Sequence, residues 1–290
     1  MLQRDVGILH PGAMGAAVAA QAVAAGARVW WLPEGRSAAS RRRAAERGLR
    51  SAADLAELAA RCDTVLSVCP PAAALDVAAQ VAAAGFEGLY VDANAVSPRH
   101  MADLAPLFDG SGATVVDGGI TGPPPRTAGT TRLYLSGDAR ATARVAALFE
   151  GTALTAVALD GPVGRASALK LAFAAYNKIS YALAAQACAL AEGHGVLEDL
   201  FDLAAHALPG TPLAAAERLA GAGPKAWRWE PEMREIAQAW ADAGLPAAFA
   251  DAAARTFARW EHHKDDGSVT GARLIRDLRR ADGADGDPGT

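Results

Sequence analysis

Long apolar runs are missing from this 290-residue chain. No stretch approaches the roughly 20 unbroken apolar residues of a membrane-spanning helix, so no membrane partner is expected. The first residues carry no basic start followed by an apolar run, so no secretory leader is expected either. Cysteine is scarce. Cys62, Cys69 and Cys188 are odd in number and show no metal-ligand spacing. That excludes a disulfide framework and leaves three buried, reduced thiols of a cytoplasmic protein as the expectation. An excess of positive charge is also lacking: the net charge is −4 and the pI is about 5.9. Such a chain has no global reason to seek nucleic acid or an anionic surface. Internal repeats are absent, and the alanine bias runs through every helical stretch without marking a site.

What is present describes two folded units. A chain of this length exceeds one small core, and 51% of its residues are apolar, enough for two domains. Short β-branched runs at Val6–Leu9, Arg28–Leu32, Thr64–Cys69, Gly88–Asp92, Thr114–Asp117 and Arg132–Ser136 alternate with helical patterns. The helical patterns cover Ala13–Ala25, Ser37–Arg47, Ala52–Arg61 and Ala72–Ala83. Alternation of this kind predicts crossover units and a mainly parallel, buried sheet, an α/β domain of the Rossmann type over residues 1–157. Beyond it, Gly164 to Glu192 holds hardly a breaker, and Pro/Gly turns separate further helices. Residues 158–280 therefore read as an all-α domain, and the terminal ADGADGDPGT, residues 281–290, as a disordered tail.

The first strand runs into His10-Pro11-Gly12-Ala13-Met14-Gly15. A dinucleotide fingerprint asks for G-x-G-x-x-G, in which the first glycine makes the tight turn. The second lets backbone approach the pyrophosphate, and the third permits close helix–strand packing. Gly12 and Gly15 supply the last two, while His10 stands at the first. Pro11 restrains the residue before it toward extended backbone, so proline is expected to shape the turn that glycine makes elsewhere. The helix beginning at Ala13 offers free N–H groups and a positive dipole end to a phosphate. The tip of the second strand carries the cofactor choice. Glu34 could hold the ribose hydroxyls of NAD; Arg36 with Ser37 would clamp the 2′-phosphate of NADP with a planar fork and a hydroxyl. The basic cluster that continues through Arg41, Arg42 and Arg43 favours NADP, with NAD as the alternative.

Further stretches give the chain a family likeness. Gly7 to Gly15, Ser67-Val68-Cys69-Pro70-Pro71, Val91-Asp92-Ala93-Asn94, Asp117-Gly118-Gly119-Ile120-Thr121-Gly122 with Ala128-Gly129-Thr130, and Gly161-Pro162-Val163-Gly164 leading to Lys170 recur in one order. In these the sequence resembles the β-hydroxyacid dehydrogenases, relatives of 6-phosphogluconate and 3-hydroxyisobutyrate dehydrogenase. The stretch from Lys225 through Met233 is similar to the uncharacterised helical domain of one branch of that superfamily. The resemblance implies a homodimer built by the helical domain. It also implies a small substrate, a carboxylate in this family, contacted by Asn94, Thr121 and Gly122. Cys69, Pro70 and Asn94 would then lie near the nicotinamide ribose. Thr121 keeps the hydroxyl of the family serine, Pro123 removes one amide donor, and Ala174 stands where the family has asparagine.

Oxidising a hydroxy acid requires a proton to leave the substrate oxygen as hydride moves to the nicotinamide. A lysine whose pKa is lowered by partial burial can take that proton. Lys170 sits among Ala168, Leu169, Leu171, Ala172 and Phe173, and an ionisable group in so apolar a helix is accounted for if it faces a cleft. Ser167, Lys170, Ala174, Asn177 and Tyr181 recur at helical spacing and share a face. On that face Asn177 would orient the lysine or substrate, and Tyr181 would extend a polar wall. An imine reductase is the rival enzyme, although that branch generally carries Asp or Tyr at the position of Lys170. A dinucleotide-binding protein without turnover is the rival of another class. His262-His263-Lys264-Asp265-Asp266 is only superficially a metal cluster, because neighbours on a helix point different ways, and no metal is expected. A long, nearly all-apolar helix also needs two covered faces, which again leads to a dimer.

Overall fold

The computed structural model describes residues 4–279; the expected tail at 281–290 lies outside them. Eight strands form one sheet in the order β3-β2-β1-β4-β5-β6-β7-β8. They are β1 Asp5–Leu9, β2 Arg28–Trp31, β3 Arg50–Ser51, β4 Thr64–Ser67, β5 Leu89–Asp92, β6 Thr114–Thr121, β7 Thr131–Gly137 and β8 Leu154–Ala158. Every pairing is parallel except β6 with β7. The helices between them are α1 Ala13–Ala24, α2 Ala38–Glu46, α3 Leu55–Arg61, α4 Ala74–Ala83, α5 Pro98–Leu104 and α6 Ala139–Ala146. Both faces of the sheet are buried, which is why its strands read as unbroken apolar runs. Val6, Ile8, Leu66, Leu133 and Leu135 pack with Val18 and Val145 in one cluster. Val65 and Tyr90 pack with Leu58, Val77, Met101 and Phe108 in another.

The strand order reverses between β1 and β4, and in open α/β sheets ligands bind outside the carboxyl ends of the strands at such a switch point. The loops following β1, β2, β4 and β5 all leave from that edge, as does the end of β6.

Two strands escaped the sequence pattern. β3 is two residues long, too short for alternation to register, and β8 lies in a stretch rich in alanine and threonine. β6 also runs on through Gly118, Gly119, Ile120 and Thr121, which read as loop. A Cβ at Gly118 would meet the Asp92 carbonyl at 3.0 Å, and one at Gly119 the Ala166 carbonyl at 2.8 Å. The glycines therefore mark close approach to β5 and to the following helix, α7 Arg165–Gly193, and not a turn.

The chain divides into compact units at Met1–Leu171 and Ala172–Thr290. That is later than the expected boundary near 158, because the first turns of α7 belong to the sheet domain. Asp117, fully buried in β6, accepts from the backbone N–H of Gly164 (2.8 Å) and Ser167 (3.0 Å), the Ser167 hydroxyl (2.6 Å) and the Ser136 hydroxyl (2.9 Å). Ser136 in turn accepts from the Ala166 N–H at 3.0 Å. Amides that a helix start leaves without partners are thus satisfied from the sheet.

The second unit contains the rest of α7 with α8 Leu197–Ala207, α9 Ala216–Ala220, α10 Ala226–Asp242, α11 Ala248–Ala258 and α12 Gly271–Arg279. Met233, Ile236, Phe257, Trp260, Leu274 and Ile275 are buried in it. Trp229 packs against both Tyr181 (tilted, 5.6 Å between centroids) and Phe257 (edge-on, 5.3 Å). No described helix is long and apolar enough to cross a membrane. Cys62 and Cys188 are buried free thiols, whereas Cys69 is partly exposed and so departs from the expectation of three buried ones.

Candidate functional site

The glycine loop leaves β1 with a backbone conformation opposite to the expected one. His10 has φ +67°, in the left-handed region, where Pro11 was expected to hold it extended. Its carbonyl accepts from Gly12 N at 2.7 Å, closing a tight turn over Pro11. The turn geometry that glycine would provide is retained, and histidine is among the side chains that tolerate it best. Gly15 has the packing role anticipated for it, since a Cβ there would meet the His10 carbonyl oxygen at 2.5 Å. Gly12 is different: the nearest protein atom to a Cβ at this position is 4.0 Å away. Its missing side chain relieves no protein contact and leaves bare backbone at the start of α1, beside Ala13 and Met14, where a phosphate needs close approach.

Burial, reinforced by the charge of Arg36, pushes the His10 imidazole down to about 4, so it is neutral in this loop at physiological pH. Arg36 lies within electrostatic reach of both His10 and Cys69, and its Nε is buried without a hydrogen-bond partner. An unpaired buried guanidinium nitrogen beside a glycine loop suits an anionic oxygen. Ser37 of the expected Arg36–Ser37 clamp also has a local role. Ser37 caps α2, its hydroxyl accepting from Ser40 N at 3.2 Å, while Arg36 turns toward the loops after β1 and β4. Glu34 is exposed. Arg43, part of the basic cluster, donates to the Pro11 carbonyl at 3.2 Å and braces the glycine loop from α2.

Asn94 does not stand at the surface of the site. It is 2% exposed, and its side chain ties the carboxyl ends of β4 and β5 together. Its Oδ1 accepts from Cys69 N at 2.5 Å, and its Nδ2 donates to Ser67 Oγ (3.1 Å) and to Asp92 Oδ2 (2.8 Å). Both amide protons are used, so Asn94 shapes the Cys69–Pro70 loop; the substrate contact the resemblance implied finds no free donor there. Asp92 beneath it is pushed up to about 7 by burial, against the pull of the Asn94 hydrogen bonds. Burial likewise raises the Cys69 thiol to about 11, which leaves it protonated and a poor nucleophile.

At the end of β6 the structure brings three predicted residues together. Lys170 Nζ donates to the Ile120 carbonyl at 2.8 Å, immediately before Thr121 and Gly122. Gly122 has φ +106°, and a Cβ there would lie 2.2 Å from the Thr130 carbonyl, so only glycine fits. Asn177 and Tyr181 lie in the other unit: Asn177 is exposed and Tyr181 packs on Trp229.

The histidine pair near the C-terminus corrects the sequence reading. His262 and His263 both reach Asp277 of α12, with Nε2 to Oδ2 distances of 3.4 and 2.7 Å. Their positions at the end of a short 3₁₀ turn, Glu261–His263, bring the rings to 3.9 Å between centroids. Divergence of neighbouring side chains holds for a regular α-helix and not for this turn. Asp277 itself gave no sequence signal beyond its spacing from Arg273.

The reversal of strand order between β1 and β4, the glycine loop on a helix N-terminus and the buried, mainly parallel sheet define a dinucleotide-binding protein of the Rossmann type. The chain belongs to the 6-phosphogluconate dehydrogenase-like NAD-binding family: residues 5–160 match the NAD binding domain of 6-phosphogluconate dehydrogenase. Residues 191–260 match a domain of unknown function, DUF1932. Among solved structures, a conserved hypothetical protein from Sinorhizobium meliloti 1021 is 26% identical, with a TM-score of 0.72 over 96% of this chain and 97% of that one. The 3-hydroxyisobutyrate dehydrogenase of Mycobacterium tuberculosis, solved with L-serine, shares the fold at 21% identity and TM-score 0.77, covering 96% of this chain and 100% of that one. A reductive aminase from Aspergillus terreus in complex with NADPH and ethyl levulinate shares it at 22% identity and TM-score 0.56, with the same coverage. No curated protein matches the sequence.

Proposed function

We propose that the protein is an NADP-dependent oxidoreductase that interconverts a small hydroxy acid and its carbonyl, with Lys170 as the general acid and base. The observation that carries this reading is the Lys170 ammonium on the Ile120 carbonyl, on the sheet edge from which the glycine loop also leaves. A nicotinamide dinucleotide, when bound, supplies the hydride acceptor or donor. The N-terminus of α1 with Gly12 would hold its pyrophosphate, and Arg36 a further phosphate oxygen. In oxidation Lys170 acts as the neutral amine, taking the proton from the substrate hydroxyl and becoming the ammonium; in reduction the ammonium returns that proton to the carbonyl oxygen. The Thr121 hydroxyl and the Gly122 amide are suited to a carboxylate. The Ile120 carbonyl holds the lysine head at the strand end.

Titrating the intrinsic fluorescence of the six tryptophans with NADPH and with NADH tests the cofactor, and Arg36→Ala locates the arginine. If Arg36 holds the 2′-phosphate, the variant binds NADPH about 10-fold or more weakly and NADH unchanged. Equal loss for both would place Arg36 on the pyrophosphate and remove the support for NADP. Failure of the parent protein to bind either would end the enzyme reading. Turnover is then screened with hydroxy acids and, separately, with ketone–amine pairs. Activity on the latter alone would favour the imine-reducing alternative, which the fold shared with the reductive aminase keeps in view.

The α7 surface supports a homodimer. Phe173, Tyr176, Leu183 and Leu190 are all exposed and recur at spacings of three, seven and seven residues, an apolar stripe that suits a helix partner. A second copy would cover this stripe. Leu183→Glu is expected to shift the species measured by light scattering from dimer to monomer; a monomeric parent protein would overturn the proposal.

A further inference from the structure

The geometry points to a divalent metal site in the helical unit, formed by His262, His263 and Asp277 and suited to Zn²⁺. Their ligand atoms all lie within 4.8 Å of one another. A tetrahedral Zn²⁺ with bonds of about 2.0–2.2 Å holds neighbouring ligand atoms on the order of 3.4 Å apart. Of the observed Nε2–Oδ2 separations, that of His262, 3.4 Å, matches this value, and that of His263, 2.7 Å, is shorter and would have to open by roughly 0.7 Å to admit the ion. Two imidazoles and one carboxylate form a borderline-soft set that favours Zn²⁺ over Mg²⁺ or Ca²⁺, which take oxygen ligands.

The surroundings match what a metal site needs beyond its ligands. Arg273 Nε donates to Asp277 Oδ1 at 3.2 Å, which fixes the carboxylate and leaves Oδ2 directed at both histidines. Asp266 lies 4.0 Å from the other ring nitrogen of His263, placed to orient that ring after a small shift. Hydrogen-bonded carboxylates behind ligands of this kind set ligand orientation and basicity. Asp277 and His263 are each 6% exposed, whereas His262 is half exposed and provides the way in. Three protein ligands leave a fourth position for water.

The site would fasten α12 to the turn after α11. Trp260 Nε1 already donates to the Leu274 carbonyl at 3.1 Å, so the ion would close a second link beside a buried tryptophan. Its role is structural stabilisation of the helical unit and does not depend on the nucleotide reading.

The test is calorimetric titration of the EDTA-stripped full chain with ZnCl₂, with MgCl₂ as control. One Zn²⁺ per chain with micromolar or tighter affinity, a raised melting midpoint and no Mg²⁺ binding are expected. His262→Ala removes the exposed ligand and should fold normally by circular dichroism. It is expected to bind Zn²⁺ at least about 10-fold more weakly. CoCl₂ gives a second readout: the visible band of four-coordinate cobalt should appear with the parent chain and vanish with His262→Ala. Absence of Zn²⁺ binding overturns the proposal. So does binding that His262→Ala leaves unchanged, which would place the ion elsewhere.

Discussion

Replacing Lys170 with alanine is expected to lower kcat by about 10²–10⁴-fold, the range that a positioned general acid or base contributes, while NADPH binding changes less than about twofold. The separation follows from the structure. Lys170 lies at the end of β6, hydrogen bonded to the Ile120 carbonyl, whereas the nucleotide loop is built on β1 and α1. On the proposed assignment, loss of the amine removes the proton carrier and leaves the glycine loop on β1 and α1 untouched. Lys170→Arg is the informative companion, because it keeps the positive charge, yet guanidinium does not release its proton in the working range. If Lys170 merely neutralises a substrate carboxylate, the arginine variant retains most of the activity and the alanine variant loses substrate affinity. If Lys170 moves the proton, both variants fall in kcat and the limb of the pH–rate profile that it governs is lost. A kcat within tenfold of the parent in Lys170→Ala would sink the assignment.

The fold was legible where periodicity and length agree. The β1 strand, the glycine loop and α1 lie where the apolar run and the Gly12–Gly15 spacing put them, and α7 spans the breaker-free stretch almost to the residue. Lys170 was legible as an ionisable group in an apolar helix. Features that depend on a partner distant in sequence were not legible. The conformation of His10 is set by packing of its carbonyl against Gly12 and Gly15, which overrides the local preference imposed by Pro11. Asn94 is placed in the site by the family resemblance; only the neighbouring ends of β4 and β5 reveal that its amide is consumed in bracing them. Arg36 carries the charge expected of a phosphate ligand, but its direction toward His10 and Cys69 is a tertiary fact. The histidine pair was dismissed on helix geometry that the 3₁₀ turn does not follow, and its carboxylate partner comes from α12.

Asp117→Ala is expected to destabilise the sheet domain by on the order of 3–5 kcal/mol, the cost of removing one member of a buried charged hydrogen-bond network. Four donors meet this carboxylate: the amides of Gly164 and Ser167 and the hydroxyls of Ser167 and Ser136. Alanine would leave all four in a region too tightly packed to supply replacements, since Gly118 and Gly119 on the same strand already touch Asp92 and Ala166. For a domain of this size the loss corresponds to a fall of roughly 10–15 °C in melting midpoint, measurable by calorimetry. Asp117→Asn is expected to fall between the parent and alanine variants, because one oxygen remains as acceptor while the new amide points donors at donors. The same change should reach the chemistry. Three of the four donors, from Gly164 and Ser167, lie at the start of α7 about one turn before Lys170, and a shift of about 1 Å in a catalytic group can cost 10²-fold in rate. Below the melting transition, Asp117→Asn should therefore lose kcat while retaining NADPH affinity. A variant that melts like the parent and turns over normally would show that α7 is anchored by its apolar contacts alone, with Asp117 incidental to the position of the lysine.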